Sequence, residues 1–161
     1  MSVELDWGWM AKKNDAPYTG KAAVDAELAN PKRKIVSLVW NVDDVTDIYR
    51  SQFEEGEFYK YMELPSAVQA PAGGHADWVL DAEGNRIGIA AVPVYSSYYK
   101  VFLCQAVLDV DKIQEGAQVF VQWGDFGKRI KNVRATIEKY PYNRLVENQK
   151  YDLSTVPVGC E

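Results

Sequence analysis

The stretch that decides the fold is Asp77-Trp78-Val79-Leu80-Asp81-Ala82-Glu83-Gly84-Asn85-Arg86-Ile87-Gly88-Ile89-Ala90. Its two short apolar segments, 77–81 and 86–90, flank four residues of the kind that form turns, Ala82-Glu83-Gly84-Asn85. This arrangement predicts a β-hairpin whose second strand continues to Tyr95. An antiparallel sheet of short strands is therefore the first expectation for the chain.

Four further segments have the length and composition of strands. Residues 35–40 are apolar and β-branched, which is typical of a well-buried strand, and residues 100–108, 119–123 and 129–139 continue the pattern. A turn at Gly124-Asp125-Phe126-Gly127 separates the last two segments. Short strands at this spacing predict a mainly β fold, either a small antiparallel barrel or a sandwich.

One or two short helices accompany the strands. Residues 21–29 are rich in good helix formers, and Asn30-Pro31 ends that helix because a residue before proline avoids the α region. The acidic stretch 41–47 leads into a second short helix at 48–53. Residues 1–20 mix aromatic and polar side chains, and we expect a short strand or coil followed by a loop.

We expect three segments along the chain. Residues 1–30 form an N-terminal linker and helix, and residues 31–142 form the barrel domain. Within that domain, the glycines and prolines of residues 54–76 predict an irregular insertion. Residues 143–161 form a polar C-terminal tail.

Charge and composition exclude several classes of function. The 161 residues carry a formal net charge of −5, which argues against a nucleic-acid partner because such binders are normally basic. No apolar run approaches the roughly 20 residues that span a bilayer, and no signal peptide is visible. The two cysteines, Cys104 and Cys160, lie far apart and do not form a disulfide framework, so a cytoplasmic location is expected.

The sequence offers no independent active site. His75 is the single histidine, in a Gly-Gly-His loop, and one histidine cannot build a zinc site without other converging ligands. Cys104 lies in an apolar strand, which favours an inert core thiol. Segment 124–129 lacks the spacing of a phosphate-binding loop and indicates a hairpin turn. We assign no catalytic residue and no metal site, and we interpret the acidic residues Asp43, Asp44 and Asp47 as a solvated helix start.

The segment Tyr95-Ser96-Ser97-Tyr98-Tyr99 stands out between two apolar strands. Three tyrosines in five residues fit a packed barrel corner, a surface that stacks a flat ring, or an interface with another domain. The candidate ligand-binding or domain-facing residues are therefore Tyr95, Ser96, Tyr98 and Tyr99. Trp40 is a possible stacking wall, although core packing at a strand end explains it equally well.

The order of these segments resembles the C-terminal region of the glycine-cleavage T-protein (aminomethyltransferase) family. The resemblance is closest to its aromatic O-demethylase branch, which acts on vanillate- or syringate-type methoxy compounds. Four stretches within residues 4–142 carry the likeness: 5–9 with 18–23, 32–38, 88–89 with 94–99, and 116–124 with 133–137. The segment Val94-Tyr95-Ser96 departs from the Thr-Ser-small pattern of the family.

This resemblance implies a T-protein C-terminal-domain-like barrel and a tetrahydrofolate cofactor. Family members are much longer, and two preceding domains supply most of the pterin pocket and most catalytic residues. The resemblance therefore implies a module that closes the folate channel of a one-carbon (methyl or aminomethyl) transferase and is not active in isolation. Its expected partners are the folate-binding N-terminal domains or a separate subunit, with self-association through the domain-facing surface as another possibility.

A second hypothesis remains open at this point. The same barrel could serve as a stand-alone small-ligand-binding or protein-interaction module without catalysis. The two hypotheses differ in whether the chain needs a folate-binding partner for its function.

Overall fold

The computed structural model describes residues 3–12, 17–62 and 76–142. His75, Cys160 and the tail from residue 143 lie outside the described residues. No helix in these three ranges is long and apolar enough to cross a membrane.

The helices are α1 (Gly8–Lys12), α2 (Lys21–Ala29) and α3 (Val42–Arg50), with 3-10 turns at Ser51–Phe53 and Val110–Lys112. The strands are β1 (Arg33–Trp40), β2 (Ala76–Leu80), β3 (Arg86–Ser96), β4 (Val101–Asp109), β5 (Gln118–Trp123) and β6 (Lys131–Glu138).

The six strands close into one antiparallel barrel in the order β1-β4-β3-β2-β5-β6. β1 closes the ring because it pairs with β4 along one edge and with β6 along the other, where Trp40 lies opposite Ala135. The predicted mainly β fold with a small antiparallel barrel is thus confirmed. The boundaries of the domain and of its flanking segments stay a prediction.

The predicted hairpin joins β2 to β3. Asp81 organises its turn, since its carboxylate accepts hydrogen bonds from the backbone N–H groups of Glu83 and Asn85 at 3.2 and 2.8 Å. The Asn85 bond also holds the pKa of Asp81 below its ordinary value. Gly84 has a φ of +84°, a conformation that glycine adopts without steric cost. Local turn chemistry therefore fixes the register of this hairpin.

Four consecutive residues of β1 are buried, and alternate residues of β4, β5 and β6 fill the barrel. Cys104 lies among them, which confirms the predicted core thiol, and burial raises its pKa to about 12. Gly88 allows β3 and β4 to approach each other, because a Cβ there would lie 2.7 Å from Leu108 Cδ2 and 2.9 Å from Leu108 Cα. The most deeply buried side chains are Leu38, Ile48, Met62, Val79, Leu108, Val121, Val133 and Ile137.

The first part of the predicted insertion covers one end of the barrel. Residues 54–62 contain no helix or strand, as expected, and residues 63–75 lie outside the described residues. Met62 is nevertheless fully buried in the core, and the Trp123 indole N–H donates to the carbonyl of Lys60 at 2.9 Å. The segment is therefore irregular in backbone but integral to the packing.

Two expectations about the helices are wrong. Residues 8–12 form the short helix α1 where a short strand or coil was expected, and a Cβ on Gly8 would lie 2.6 Å from Leu28 Cδ2 of α2. The helix predicted at 48–53 corresponds to α3, which begins at Val42. The side chain of Asn41 caps α3 by accepting hydrogen bonds from the backbone N–H groups of Asp43 and Asp44. An N-cap asparagine satisfies backbone donors that the first turn leaves without partners.

The expected solvated helix start is wrong for Asp44, which is only 7% exposed. Its carboxylate accepts from the Arg134 backbone N–H at 2.9 Å, from Nε at 2.8 Å and from Nη2 at 2.9 Å. Arg134 Nη2 also donates to Asn41 Oδ1 at 3.1 Å. These three residues, the Asn41–Asp44–Arg134 cluster, join α3 to β6.

We expect Gly88→Ala to lower the free energy of unfolding by about 1–3 kcal/mol, since overpacking a dense core forces the backbone to shift. Urea denaturation would measure the loss. Gly84→Asn is the matched control because its turn position is open and asparagine tolerates positive φ. Equal stability of the Gly88 variant and the parent would contradict the close approach of β3 and β4.

We also expect stability to fall on acidification through Asp44. The Arg134 hydrogen bonds hold the pKa of Asp44 below its ordinary value of 3.8 in the folded chain. The ion pair therefore contributes fully above pH 3.8, and its contribution is lost as pH falls from there toward the folded-state pKa. Thermal unfolding from pH 6 to pH 2 should show a steeper loss for the parent than for Asp44→Asn. Parallel curves for the two proteins would refute the assignment.

Candidate functional site

A cavity of about 1270 Å³ lies where β1 ends, β4 begins and α3 crosses the barrel end. Its lining residues come from β1, α3, β3, β4, β5 and β6 and from the segments that adjoin them. The cavity is lined by Val39, Trp40, Asn41, Val42, Val45, Thr46, Tyr49, Tyr61, Met62, Tyr95, Lys100, Val101, Phe102, Gln118, Arg134, Ala135 and Thr136.

The inner wall consists of aromatic rings that belong to the barrel core. The Trp40 ring lies 5.3 Å from the Phe102 ring and 5.9 Å from the Trp123 ring, measured between centroids. Trp40 Nε1 lies 3.1 Å from Cys104 Sγ and donates a hydrogen bond to it. Trp40 is only 4% exposed, so it is both a core residue and part of the cavity wall.

The outer wall is formed by Tyr49 of α3 and by Tyr61. Their rings meet edge to face at 6.2 Å, and the Tyr49 hydroxyl donates to the carbonyl of Met62 at 3.0 Å. Burial raises the pKa of Tyr49, with a smaller contribution from Tyr61. Tyr49 is therefore a neutral, positioned phenol at physiological pH.

Among the described lining residues, two are cationic, Lys100 and Arg134. Arg134 is oriented by Asp44 and Asn41 through its Nε and Nη2 groups. Lys100 occupies the last position before β4, in the left-handed region with a φ of +56°. No acidic residue is among the described residues that line the cavity.

The candidate residues fall into two groups. Trp40 and Tyr95 both line the cavity, and Tyr95 is 48% exposed. Ser96, Tyr98 and Tyr99 belong to the adjoining β3–β4 hairpin and are not among the described lining residues.

The hairpin tyrosines pack against one another. The Ser96 hydroxyl accepts from the Tyr99 N–H at 3.3 Å. Tyr99 stacks edge to face on Tyr98 and on Tyr142, each at 5.0 Å between centroids. The packed-corner interpretation therefore accounts for Tyr99, while a ligand or domain-facing role for these residues stays a prediction.

Most of the described lining residues were not predicted from the sequence, and Tyr49, Tyr61 and Arg134 are the most relevant of them. Tyr49 and Tyr61 come from the helix and the irregular segment on either side of Phe53, and Arg134 lies on the outer face of β6. Arg134 lies between the inward-facing residues Val133 and Ala135. Strand alternation therefore predicts that the Arg134 side chain faces outward. Nothing in the local sequence indicated that α3 would return over that face.

The turn predicted at 124–127 forms, whereas His75 lies outside the described residues. The Lys128 N–H donates to the Asp125 carbonyl at 3.1 Å, as expected for a turn at this position. Within residues 3–12, 17–62 and 76–142, no three His, Cys, Asp or Glu side chains are grouped to hold a metal ion.

No protein-family model matches the chain. The sequence is 32% identical to the sesamin methylene transferase of Sinomonas sp. (strain No.22) over an aligned length of 148 residues, with 87% of this chain and 32% of that protein covered. It is 27% identical over 113 residues to the syringate O-demethylase of Sphingobium sp. (strain NBRC 103272 / SYK-6), with 70% of this chain and 24% of that protein covered. The chain thus spans about a third or less of the length of these relatives.

The fold is similar to a solved structure as well. The glycine cleavage system aminomethyltransferase T from Bartonella henselae superposes with a TM-score of 0.56 at 18% identity, covering 88% of this chain and 31% of that one. At this identity the superposition shows a shared barrel architecture. The chain is therefore T-protein-like in its barrel fold, and its sequence is similar to parts of a methylene transferase and of an O-demethylase.

Proposed function

We propose that this chain is the C-terminal barrel module of a tetrahydrofolate-dependent one-carbon transferase. In this role the barrel closes the channel that holds the folate, and the transfer itself requires residues outside the chain. The similarity that carries the proposal covers 87% of the chain but only 32% of a methylene transferase. A cytoplasmic location belongs to the same proposal.

The cavity supports a role in enclosing a ring-shaped ligand. Large aromatic side chains supply apolar contact area, and flat rings pack well against them in edge-to-face or offset geometry. Tyr95 and Tyr61 are about half exposed and offer such surfaces, while Trp40 and Phe102 close the inner side. These walls fit either the pterin or the aminobenzoyl ring of tetrahydrofolate.

The chemistry of one-carbon transfer explains why a non-catalytic wall is useful. Tetrahydrofolate supplies the nitrogen that accepts the one-carbon unit. That step needs the one-carbon donor and the acceptor nitrogen of the folate to be held in the correct relative position, in a site from which water is excluded. The barrel residues would provide orientation and water exclusion, whereas proton transfer at the folate nitrogen would fall to other domains.

The proposed domain-facing surface includes exposed aromatic residues. Trp7 and Trp9 are 55% and 54% exposed, and Met10 and Tyr98 are also exposed. Exposed clusters of large apolar side chains mark interaction surfaces. We propose that the folate-binding domains or subunit cover this surface, with self-association of the chain as the competing occupant.

Ligand binding without catalysis is the second candidate function, and the cavity is the observation that favours it. A preformed concave site with aromatic walls and a few polar groups is the usual form of a small-molecule site. The two candidate functions make different predictions about activity in the presence of a partner.

We expect the purified chain to show no demethylation of syringate with tetrahydrofolate, and to restore activity when combined with the folate-binding region of a related O-demethylase. Formation of methyltetrahydrofolate, followed by chromatography, would measure both reactions. Full activity of the chain alone would refute the proposal of an incomplete site. Failure of the combined proteins to react, despite stable association, would favour the non-catalytic alternative.

We expect Tyr95→Ala to weaken tetrahydrofolate binding by about tenfold, since loss of a ring contact costs on the order of 1 kcal/mol or more. Calorimetric titration would measure the affinity and thermal unfolding the stability, which should change little for this half-exposed residue. Phe126→Ala is the matched control because Phe126 is fully exposed in the β5–β6 turn. Unchanged affinity of the Tyr95 variant would remove this residue from the site.

A further inference from the structure

Three of the five phenylalanines in the chain have exposed side chains, although phenylalanine is normally a core residue. Phe53 is 90% exposed, Phe58 is 59% exposed and Phe126 is fully exposed. Phe53 ends the 3-10 turn that follows α3, and Phe126 lies in the turn between β5 and β6. A single exposed apolar side chain is ordinary, but several at one place indicate an interaction surface.

Residues 53–58 form a loop that is closed at its base. The Ser51 hydroxyl accepts a hydrogen bond from the Tyr59 backbone N–H at 3.1 Å, and the Gln52 side-chain amide donates to the Tyr59 carbonyl at 2.8 Å. The two ends of the loop are therefore held together. Tyr59 is buried, whereas every residue of the 53–58 loop is exposed. The loop thus presents its two phenylalanines to solvent from an anchored base.

The β5–β6 turn lies beside the 53–58 loop. The Glu57 carboxylate accepts a hydrogen bond from the Arg129 backbone N–H at 3.1 Å, and the Glu57 carbonyl accepts from Arg129 Nη1 at 2.7 Å. Lys60 and Asp125 form an ion pair at 2.6 Å. Glu57 and Asp125 each precede an exposed phenylalanine, so these contacts join the loop and the turn into one surface. The loop–turn surface comprises residues 53–58 and 124–128.

Charges of opposite sign flank the phenylalanines of the loop–turn surface. Glu54 and Glu55 belong to the loop, whereas Lys128 belongs to the turn, and all three are exposed. None of the ion pairs among the described residues involves any of these three side chains. The loop therefore offers negative charge to a partner, and the turn offers positive charge.

We propose that the loop–turn surface is a self-association surface and that a second copy of this chain covers it. In a two-fold contact, the loop of one copy packs against the turn of the other, and the reverse contact forms at the same time. The loop phenylalanines of one copy then pack on Phe126 of the other, and the carboxylates of Glu54 and Glu55 lie opposite Lys128.

The charge pattern selects a second copy as the occupant. Association is favoured when the potentials of the two surfaces are complementary, so a partner of uniform charge would call for a surface of one opposite sign. Here an acidic loop and a basic turn lie side by side, and this arrangement is complementary to itself after a two-fold rotation. Aromatic side chains are also enriched in the centres of protein interfaces, with charged residues at the rim.

The loop–turn surface shares no residue with the proposed domain-facing surface, which includes Trp7, Trp9, Met10 and Tyr98. Self-association through the loop and the turn therefore does not depend on the proposed function. It can be measured on the chain alone, without folate and without a partner. Activity restored by a folate-binding region would bear on the proposed function and would leave the mass of the isolated chain unchanged.

Sedimentation equilibrium over a range of chain concentrations tests the proposal. We expect a monomer–dimer equilibrium with a dissociation constant on the order of 10 µM, because one loop and one turn make a smaller contact than a standard interface. Phe126→Ser should raise the dissociation constant about tenfold or more, as for a residue at the centre of an interface. Thermal unfolding should not change, because this ring is fully exposed. Trp7→Ser is the control, since it removes an exposed aromatic side chain outside the loop–turn surface and should dimerise like the parent.

Exchange of charges tests the two-fold geometry. A double variant with Glu54→Lys and Glu55→Lys should associate with itself more weakly than the parent, and so should Lys128→Glu, because like charges then face each other in both contacts. In an equimolar mixture of the two variants, each loop faces a turn of opposite charge. The mixture should therefore associate about tenfold more tightly than either variant alone, and added salt should reduce this difference.

Three results would overturn the proposal. One is a chain that stays monomeric even at about 1 mM. Another is a dimer that is lost in Trp7→Ser and kept in Phe126→Ser, since the contact would then lie at the other aromatic surface. The third is a mixture of the charge variants that associates no better than either variant alone, which would exclude the loop-against-turn contact.

Discussion

The Asn41–Asp44–Arg134 cluster is the constraint on which the rest of the site depends. Asn41 Oδ1 caps α3 and also accepts from Arg134, so the same atom begins the helix and ties it to β6. Asp44 then accepts three hydrogen bonds from Arg134. Asp44 is largely buried whereas the Arg134 side chain is 43% exposed, so removing Arg134 would leave the Asp44 carboxylate without its partner and would destabilise the fold. The cluster thereby fixes where α3 lies and which wall of the cavity it supplies.

The barrel could be predicted because the sequence patterns that indicate its strands and turns are local. Strand alternation, turn residues such as Gly84-Asn85 and the Asn30-Pro31 helix stop each act within a few residues, and all point to the same architecture. The start of α3 is not evident from the sequence because Asn41 lies within an acidic stretch whose composition does not reveal its capping role. A helix boundary can depend on a single capping side chain. Because Asn41 caps α3, the helix begins at Val42, six positions before the predicted start.

The site was less accessible to sequence reasoning because it is assembled from distant segments. Trp40 and Tyr95 could be named, since each is conspicuous within its own strand. Tyr49, Tyr61 and Arg134 are ordinary residues in their local sequence, and only closure of β6 onto β1 brings Arg134 to α3. Burial of Asp44 was missed for the same reason, because its partner lies 90 positions away. Long-range pairing is information that local periodicity does not contain.

Closure of the barrel also limits how the molecule can associate. Each of the six strands has a neighbour on both sides, although β2 and β5 pair only at Val79–Val121 and Leu80–Phe120, so the described sheet presents little open edge to which another strand could add. Any partner must therefore recognise side chains and loops, and its affinity will be set by a few anchoring residues. Substitutions on the outer faces could then tune association without disturbing the hydrogen-bonded ring, which makes the barrel a scaffold on which recognition and stability can be changed separately.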